Sequence, residues 1–318
     1  MNTFKNHFSE ATPNPRKHHS STGNWMIWWR LLRPHTLTAS FIPVGIGSIV
    51  AMKSHAIDFG LFLAMLFACM VIQAATNMFN EYYDYIRGLD HEASVGIGGT
   101  IVRDNIPPRT VLMLAISLFI VAIFLGIYIC MSTSWWIAGI GAVSMAAGYF
   151  YTGGPLPIAY TPFGEVVAGF FMGTVIIGVS YYIQTNMIDV LAIILSIPFA
   201  LLIGAILLAN NIRDLEGDKL HGRKTIAIYL GHNKAVYLLM VMLFAPHLLV
   251  IFLVFIHVIS YWSLITLLSI PMGIQAIRGF KGKSLPIEMM PAMKATAQMT
   301  TQFGLLFMIG FIIEYFTH

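Results

Sequence analysis

The sequence predicts an all-α, polytopic membrane protein, a bundle of nine transmembrane helices with the N-terminus inside and the C-terminus outside. Three observations carry that prediction. Of 318 residues, 57% are hydrophobic and only 10% charged, with a mean hydropathy of +0.76; soluble globular domains do not have this composition. Apolar stretches of about 20 residues recur along the chain, the length a helix needs to cross the hydrocarbon layer while satisfying its own backbone. The positive charge is lopsided. With the N-terminus inside, 17 of the 18 Lys and Arg residues fall on inside segments and only Lys53 falls outside, as the positive-inside rule predicts.

Taken in order, residues 1–24 are polar, rich in His and Ser and without an apolar core, so a disordered cytoplasmic tail is expected, followed by a single transmembrane domain over 25–318. No signal peptide is evident, because the first apolar segment starts late and lacks a small-residue cleavage pattern. Trp25, Trp28 and Trp29 share one helical face beside Arg30 and Arg33, which suits an interfacial helix. The nine spans are expected at 36–52, 58–80, 110–130, 135–152, 163–184, 190–210, 235–256, 258–278 and 297–316. The first is short. Cys69 and Cys130 lie in different spans and read as packing thiols rather than a disulfide or metal pair. The net charge of +4 follows from the inside bias and does not call for a nucleic-acid partner; membrane lipid is the partner that the composition implies.

Fourteen acidic residues must be placed, and two short stretches hold seven of them. One runs Asn80-Glu81-Tyr82-Tyr83-Asp84-Tyr85-Ile86-Arg87-Gly88-Leu89-Asp90-His91-Glu92, the other Asn210-Asn211-Ile212-Arg213-Asp214-Leu215-Glu216-Gly217-Asp218. Each begins where an apolar span ends, on the predicted cytoplasmic side. Ionisable groups at membrane depth are costly unless paired or bound to a cation. Helical residues four apart lie about 40° from each other, so Asn210, Asp214 and Asp218 form a polar stripe, and Asn80 and Asp84 a shorter one with Glu81 at its side. Asp90 joins them only if the helix breaks near Gly88, a residue suited to a helix C-terminus. The shared Asn-x-x-x-Asp pattern hints at internal duplication.

Hard oxygen ligands with open positions suit Mg²⁺ shared with substrate phosphates. No Cys/His set argues for zinc, and no loop has EF-hand spacing. Arg87, Arg103, Arg213, Lys219, Arg223 and Lys224 can complete a diphosphate site, Arg as a fork and Lys as a point charge. The Gly96-Ile97-Gly98-Gly99 run reads as a flexible turn before it reads as a phosphate cradle. Asp104, Asp189 and Glu288 read as ordinary loop acids, and His55 and His257 as interfacial side chains.

At these residues the chain resembles the UbiA superfamily of intramembrane aromatic prenyltransferases, and the resemblance covers nearly everything from about Arg33 onward. The first motif, Asn80-Glu81-x-x-Asp84 with Asp90 following, keeps the spacing of the branch acting on 1,4-dihydroxy-2-naphthoate, with Glu81 where the family often has Asp. Further segments resemble the same branch: Arg33-Pro34-His35-Thr36-Leu37-Thr38-Ala39-Ser40, Gly98-Gly99-Thr100-Ile101-Val102-Arg103, the run from Tyr151 to Tyr160, and the second motif through Gly222-Arg223-Lys224-Thr225. The resemblance implies a nine-helix bundle and Mg²⁺-dependent transfer of a polyprenyl chain from its diphosphate to the naphthoate, with loss of the carboxylate, giving demethylmenaquinone. It implies Asn80, Glu81, Asp84, Asp90, Asn210, Asp214 and Asp218 as metal ligands and Arg87, Arg103, Arg213, Lys219 and Arg223 as diphosphate ligands. Tyr83, Tyr149 and Tyr151 are candidates for shielding an allylic cation through their π faces, and Arg33 and His35 for orienting the acceptor. Relatives acting on 4-hydroxybenzoate, homogentisate or haem are the nearest alternatives. A cation-coupled transporter is the alternative of a different class, although its acids belong nearer the midplane.

Overall fold

The computed structural model describes residues 24–33, 36–89 and 99–317, and among these every regular element is helical, with no strand. The expected N-terminal tail, His35, Asp90 and Gly96 to Gly98 lie outside the described residues. Helix α1 (Asn24–Leu32) exposes Trp25, Trp28 and Trp29 and buries Leu31 against the bundle. The sided distribution expected of an interfacial segment is therefore present.

Each expected span falls on a helix: α2 (Thr38–Ala51), α3 (Phe59–Ile86), α5 (Pro108–Ser132), α6 (Trp136–Thr152), α7 (Gly164–Thr185), α8 (Val190–Arg213), α11 (His232–Phe255), α12 (Tyr261–Phe280) and α13 (Pro286–Thr317). Seven of these are long and apolar enough to cross a membrane. At 14 and 17 residues, α2 and α6 are shorter; at a rise of about 1.5 Å per residue each falls short of a bilayer core of about 30 Å. The chain is an integral membrane protein, and a count of nine crossings rests on these two. Three short helices complete the set: α4 (Thr100–Arg103), α9 (Leu215–Leu220) and α10 (Ile226–Leu230).

Two helices run beyond their apolar spans in ways that matter. Helix α3 runs on past residue 80 to Ile86, so Glu81 and Asp84 are still helical where the apolar stretch has ended. Helix α13 begins at Pro286, well before residue 297, because proline suits the first helical turn and the polar segment up to the apolar run carries no other breaker than Pro291. The main core joins α2, α8, α11 and α13. Phe303, Phe307 and Phe311, four residues apart on α13, stack along one face and meet Phe199 of α8. Backbones approach closely where glycine allows it. A Cβ on Gly47 of α2 would sit 2.4 Å from the Ile177 carbonyl of α7, and one on Gly173 would sit 2.7 Å from Ala200 of α8. Cys69 and Cys130 are free and buried in one cluster between α3 and α5, as packing thiols should be.

Candidate active site

The two acidic stretches end their helices in the same way. At the end of α3 the Leu89 N–H donates to the Asp84 carbonyl (2.9 Å) and the Gly88 N–H to the Tyr85 carbonyl (3.0 Å). At the end of α9 the Arg223 N–H donates to the Asp218 carbonyl (3.0 Å) and the Gly222 N–H to the Lys219 carbonyl (3.2 Å). Both are Schellman turns, and both use glycine in the left-handed region, Gly88 at φ +71 and Gly222 at φ +75. An aspartate thus occupies the same position of the closing turn in each. The chain reversal at Gly222 carries the Arg223 side chain back toward Asp218, and the Lys224 N–H on the Tyr160 carbonyl (2.9 Å) anchors the loop.

Arg223 joins the two stretches. One arm of its guanidinium lies 3.0 Å from Asp84 Oδ1 and the other 3.1 Å from Asp218 Oδ1, across a sequence separation of more than a hundred residues. Its plane lies over the Tyr160 ring at 4.9 Å. Burial works against the Arg223 charge, but Asp218 and Asp84 more than offset it and hold the group above its ordinary value. Burial pushes the Asp218 carboxyl up to about 6; Arg223 pulls it down, and the negative charges of Asp214 and Asp84 add to the rise. Asp218 is 6% exposed, and its Oδ2 is buried without a hydrogen-bond partner.

The other predicted residues divide. Arg213 forks onto its neighbour Asp214, which caps the end of α8 and opens α9, so the polar stripe is kinked at Asp214. Arg87 donates to the Thr152 and Gly154 carbonyls and lies over the rings of Tyr83 and Tyr160; it fixes the α6–α7 loop beside the acids. Asn80 accepts from the Thr152 hydroxyl at 2.6 Å. Asn210 is half-buried and Lys219 exposed. Tyr83 and Tyr149 share a hydroxyl hydrogen bond of 2.7 Å and border an aromatic groove of about 590 Å³ with Phe79, Leu112, Phe119 and Met145. The Tyr151 hydroxyl lies against Gly164, 3.3 Å from where a Cβ would be.

Three expectations are met differently. Glu81 is 1% exposed, and both its oxygens are taken, one by Arg33 (2.8 Å) and one by the Ile101 N–H (3.1 Å). It ties α1 and α4 to α3 rather than standing open beside Asp84, and Arg33 is engaged with it rather than free. Arg103 is half out in solvent on Asp104 (3.3 Å), which also meets Arg30. Sequence reasoning missed Tyr160, the ring beneath two arginines, and Glu165, a buried carboxylate at the start of α7 that accepts from Asn211 at 2.8 Å. A lone acid one residue inside an apolar run was the available signal for Glu165.

Among the described residues no three His, Cys, Asp or Glu side chains converge as a ready-made metal cage. Mg²⁺ seldom asks for one, taking one or two carboxylates and completing its shell with water and substrate phosphate. An unpartnered, buried oxygen on Asp218 beside Asp84 fits that requirement, and the all-oxygen donor set fits a hard cation.

Comparison with known proteins identifies the family. The UbiA prenyltransferase family matches residues 40–286. The chain belongs to that family. A curated 1,4-dihydroxy-2-naphthoate octaprenyltransferase of Bacillus subtilis (strain 168) is 54% identical to this UbiA-family chain over 290 residues, covering 91% of it and 93% of the relative. Among solved structures, the apo structure of a UbiA homolog from Aeropyrum pernix K1 superposes with a TM-score of 0.66 at 14% identity, over 89% of this chain and 98% of that one. A UbiA homolog from Archaeoglobus fulgidus bound to DMAPP and Mg²⁺ superposes with a TM-score of 0.62 at 14% identity, over 88% and 98%. At such identities the likeness is one of fold.

Proposed function

We propose that this protein transfers a polyprenyl chain from polyprenyl diphosphate to 1,4-dihydroxy-2-naphthoate, releasing the carboxylate as CO₂ and giving demethylmenaquinone. The observation that carries this reading is 54% identity along nearly the whole of a curated enzyme with that acceptor in its name. The juxtaposition of Asp84 and Asp218 on one guanidinium supports placing the diphosphate there.

The residues suggest a division of labour. Asp84, Asp214 and Asp218 would hold Mg²⁺, with Asn80, Asn210 and Asp90 as further oxygen donors; Glu81 acts from behind by fixing Arg33 and α4. When bound, Mg²⁺ supplies neutralisation of the diphosphate oxygens as they take up the leaving-group charge. Arg223 and Arg213, paired with aspartates here, can turn to the diphosphate, and Lys219 approaches from the exposed side. Arg87 holds the Thr152–Gly154 turn and adds its charge to the same end. Cleavage of the allylic C–O bond leaves a cation that the electron-rich naphthoate ring attacks. The faces of Tyr83, Tyr149 and Tyr151 shield that cation, and the apolar bundle excludes water that would quench it. The isoprenoid tail lies among apolar helices, in contact with lipid.

The orientation belongs to the same proposal: nine crossings, N-terminus inside, C-terminus outside, the diphosphate end facing the cytoplasm. Arg87, Arg213, Lys219 and Arg223 gather at the end carrying the acids, whereas Lys53 pairs with Glu314 near the C-terminus (2.8 Å). Mass analysis of products made by the purified protein from the naphthoate and prenyl diphosphates of several lengths, with Mg²⁺, tests the reading. The expected product has gained the prenyl group and lost CO₂, with diphosphate released. A product that retains the carboxylate, or preference for 4-hydroxybenzoate, would overturn it.

A further inference from the structure

Glu165 is a buried carboxylate that this mechanism leaves idle. It stands in the first turn of α7, 5% exposed, with Oε1 accepting from the Asn211 side chain at 2.8 Å. Its Oε2 is buried and has no hydrogen-bond partner. An acid near a helix N-terminus is favourable in its own right, which accounts for the position. It does not account for an unpaired oxygen, because a buried acceptor left unsatisfied is destabilising. The residue is fixed in place: a Cβ on Gly204 of α8 would lie 3.1 Å from the Glu165 carbonyl. From α6, the Tyr151 hydroxyl comes to the neighbouring Gly164, 3.3 Å from where a Cβ would be; from α8 comes neutral Asn211. Asn211 belongs to the second acidic stretch, so its side chain ties Glu165 to the helix end that carries Asp214.

We propose that Glu165 is the base of the transfer, its unpartnered Oε2 receiving the proton of the acceptor hydroxyl next to the carboxylate-bearing ring carbon. This rests on the acceptor named above. The ring pair forms the C–C bond to the prenyl carbon, whose bond to the diphosphate oxygen has broken. The hydroxyl proton passes to Glu165 and the oxygen becomes a keto group. The resulting β-keto carboxylate loses CO₂, the pair from that C–C bond restores the aromatic ring, and Glu165 returns the proton to the oxygen. The carboxylate ends as it began, and no oxidant or reductant is needed. Asn211 orients the carboxylate, and the surrounding apolar helices keep water from competing for the proton.

The test is steady-state and pH-dependent kinetics of wild type, Glu165→Gln and Glu165→Asp in lipid vesicles, with dihydroxynaphthoate, farnesyl diphosphate and Mg²⁺. Donor binding is measured separately with a non-hydrolysable thiolodiphosphate. Glu165→Gln keeps the size and the contact to Asn211 but cannot take a proton. The expected result is a kcat lower by about 100-fold or more, unchanged donor affinity, and loss of the acid limb of kcat at saturating donor and Mg²⁺, where proton competition at the metal site is suppressed. Glu165→Asp should restore part of kcat and bring the limb back. A Gln variant within threefold of wild type, with its acid limb intact, would overturn the inference. If Gln loses donor binding as well, the Asp variant decides: a retained limb supports the base role, and full activity without one refutes it. Wild-type protein that binds donor but never prenylates the naphthoate would instead strike the functional reading, and this inference with it.

Discussion

Replacing Arg223 by Gln separates the electrostatic account from a purely structural one. The wild-type guanidinium lies 3.0 Å from Asp84 and 3.1 Å from Asp218, so both acids lose their shared counter-charge in the variant. A charge-assisted contact to diphosphate contributes about 1.5–3 kcal/mol, and its loss should weaken donor binding by about 10- to 150-fold. A second effect has a defined sign. Burial raises the Asp218 carboxyl to about 6 even while Arg223 pulls it down; without Arg223 it rises further, and the acid limb of kcat/KM for the donor moves to higher pH. Arg223→Lys keeps the charge but loses the fork, so its affinity should fall between the two. The assay is titration of a prenyl thiolodiphosphate into detergent-solubilised protein, with kcat/KM measured from pH 5 to 8. Wild-type affinity and an unmoved acid limb in Arg223→Gln would refute the reasoning.

Other consequences follow from the same contacts. Because Asp218 binds a proton more readily folded than unfolded, its contribution to stability is lost as pH rises from the ordinary carboxylate range through about 6; metal-free protein should melt higher at pH 5 than at pH 7, with a smaller difference in Asp218→Asn. For the same reason the Mg²⁺ concentration for half-maximal activity should increase below about pH 6, as protons compete for the carboxylate, and a flat Mg²⁺ requirement would argue against Asp218 as a ligand. Glu81→Ala leaves Arg33 and the Ile101 N–H without their acceptor, and should lower stability by about 3 kcal/mol, visible as a lower melting temperature. Gly47→Ala forces a Cβ to within 2.4 Å of the Ile177 carbonyl; parting α2 from α7 should lower the melting temperature while leaving Mg²⁺ dependence unchanged.

The helical class, the helices that underlie the expected spans and both acidic stretches were legible because composition and a run of apolar residues report on solvent directly. The Asn-x-x-x-Asp pattern marked two helix ends whose aspartates the structure brings near one another, and Gly88 marked where α3 stops. The meeting of those ends was legible only through Arg223, whose part as a bridge depends on a turn at Gly222 that sequence alone does not orient. Glu81 read as a ligand because it sits beside Asp84 in sequence; its partners Arg33 and Ile101 are separated from it by 48 and 20 residues, and no local signal announces them. Tyr160 was within sight in the Tyr151–Tyr160 run, but stacking beneath guanidinium groups is tertiary. Helix α12 begins with a 3₁₀ segment, Tyr261–Ser269, which hydrophobic periodicity does not distinguish from an α-helical turn.

Two aspartates reached by separate helix ends are claimed to act as one diphosphate site. A double-mutant cycle on Asp84→Asn and Asp218→Asn, read as Mg²⁺-dependent affinity for a prenyl thiolodiphosphate, addresses that claim directly. Each single change should abolish most of the metal-dependent gain, and the double variant should be little worse than either. Strictly additive losses would place the two carboxylates at independent sites and contradict the account.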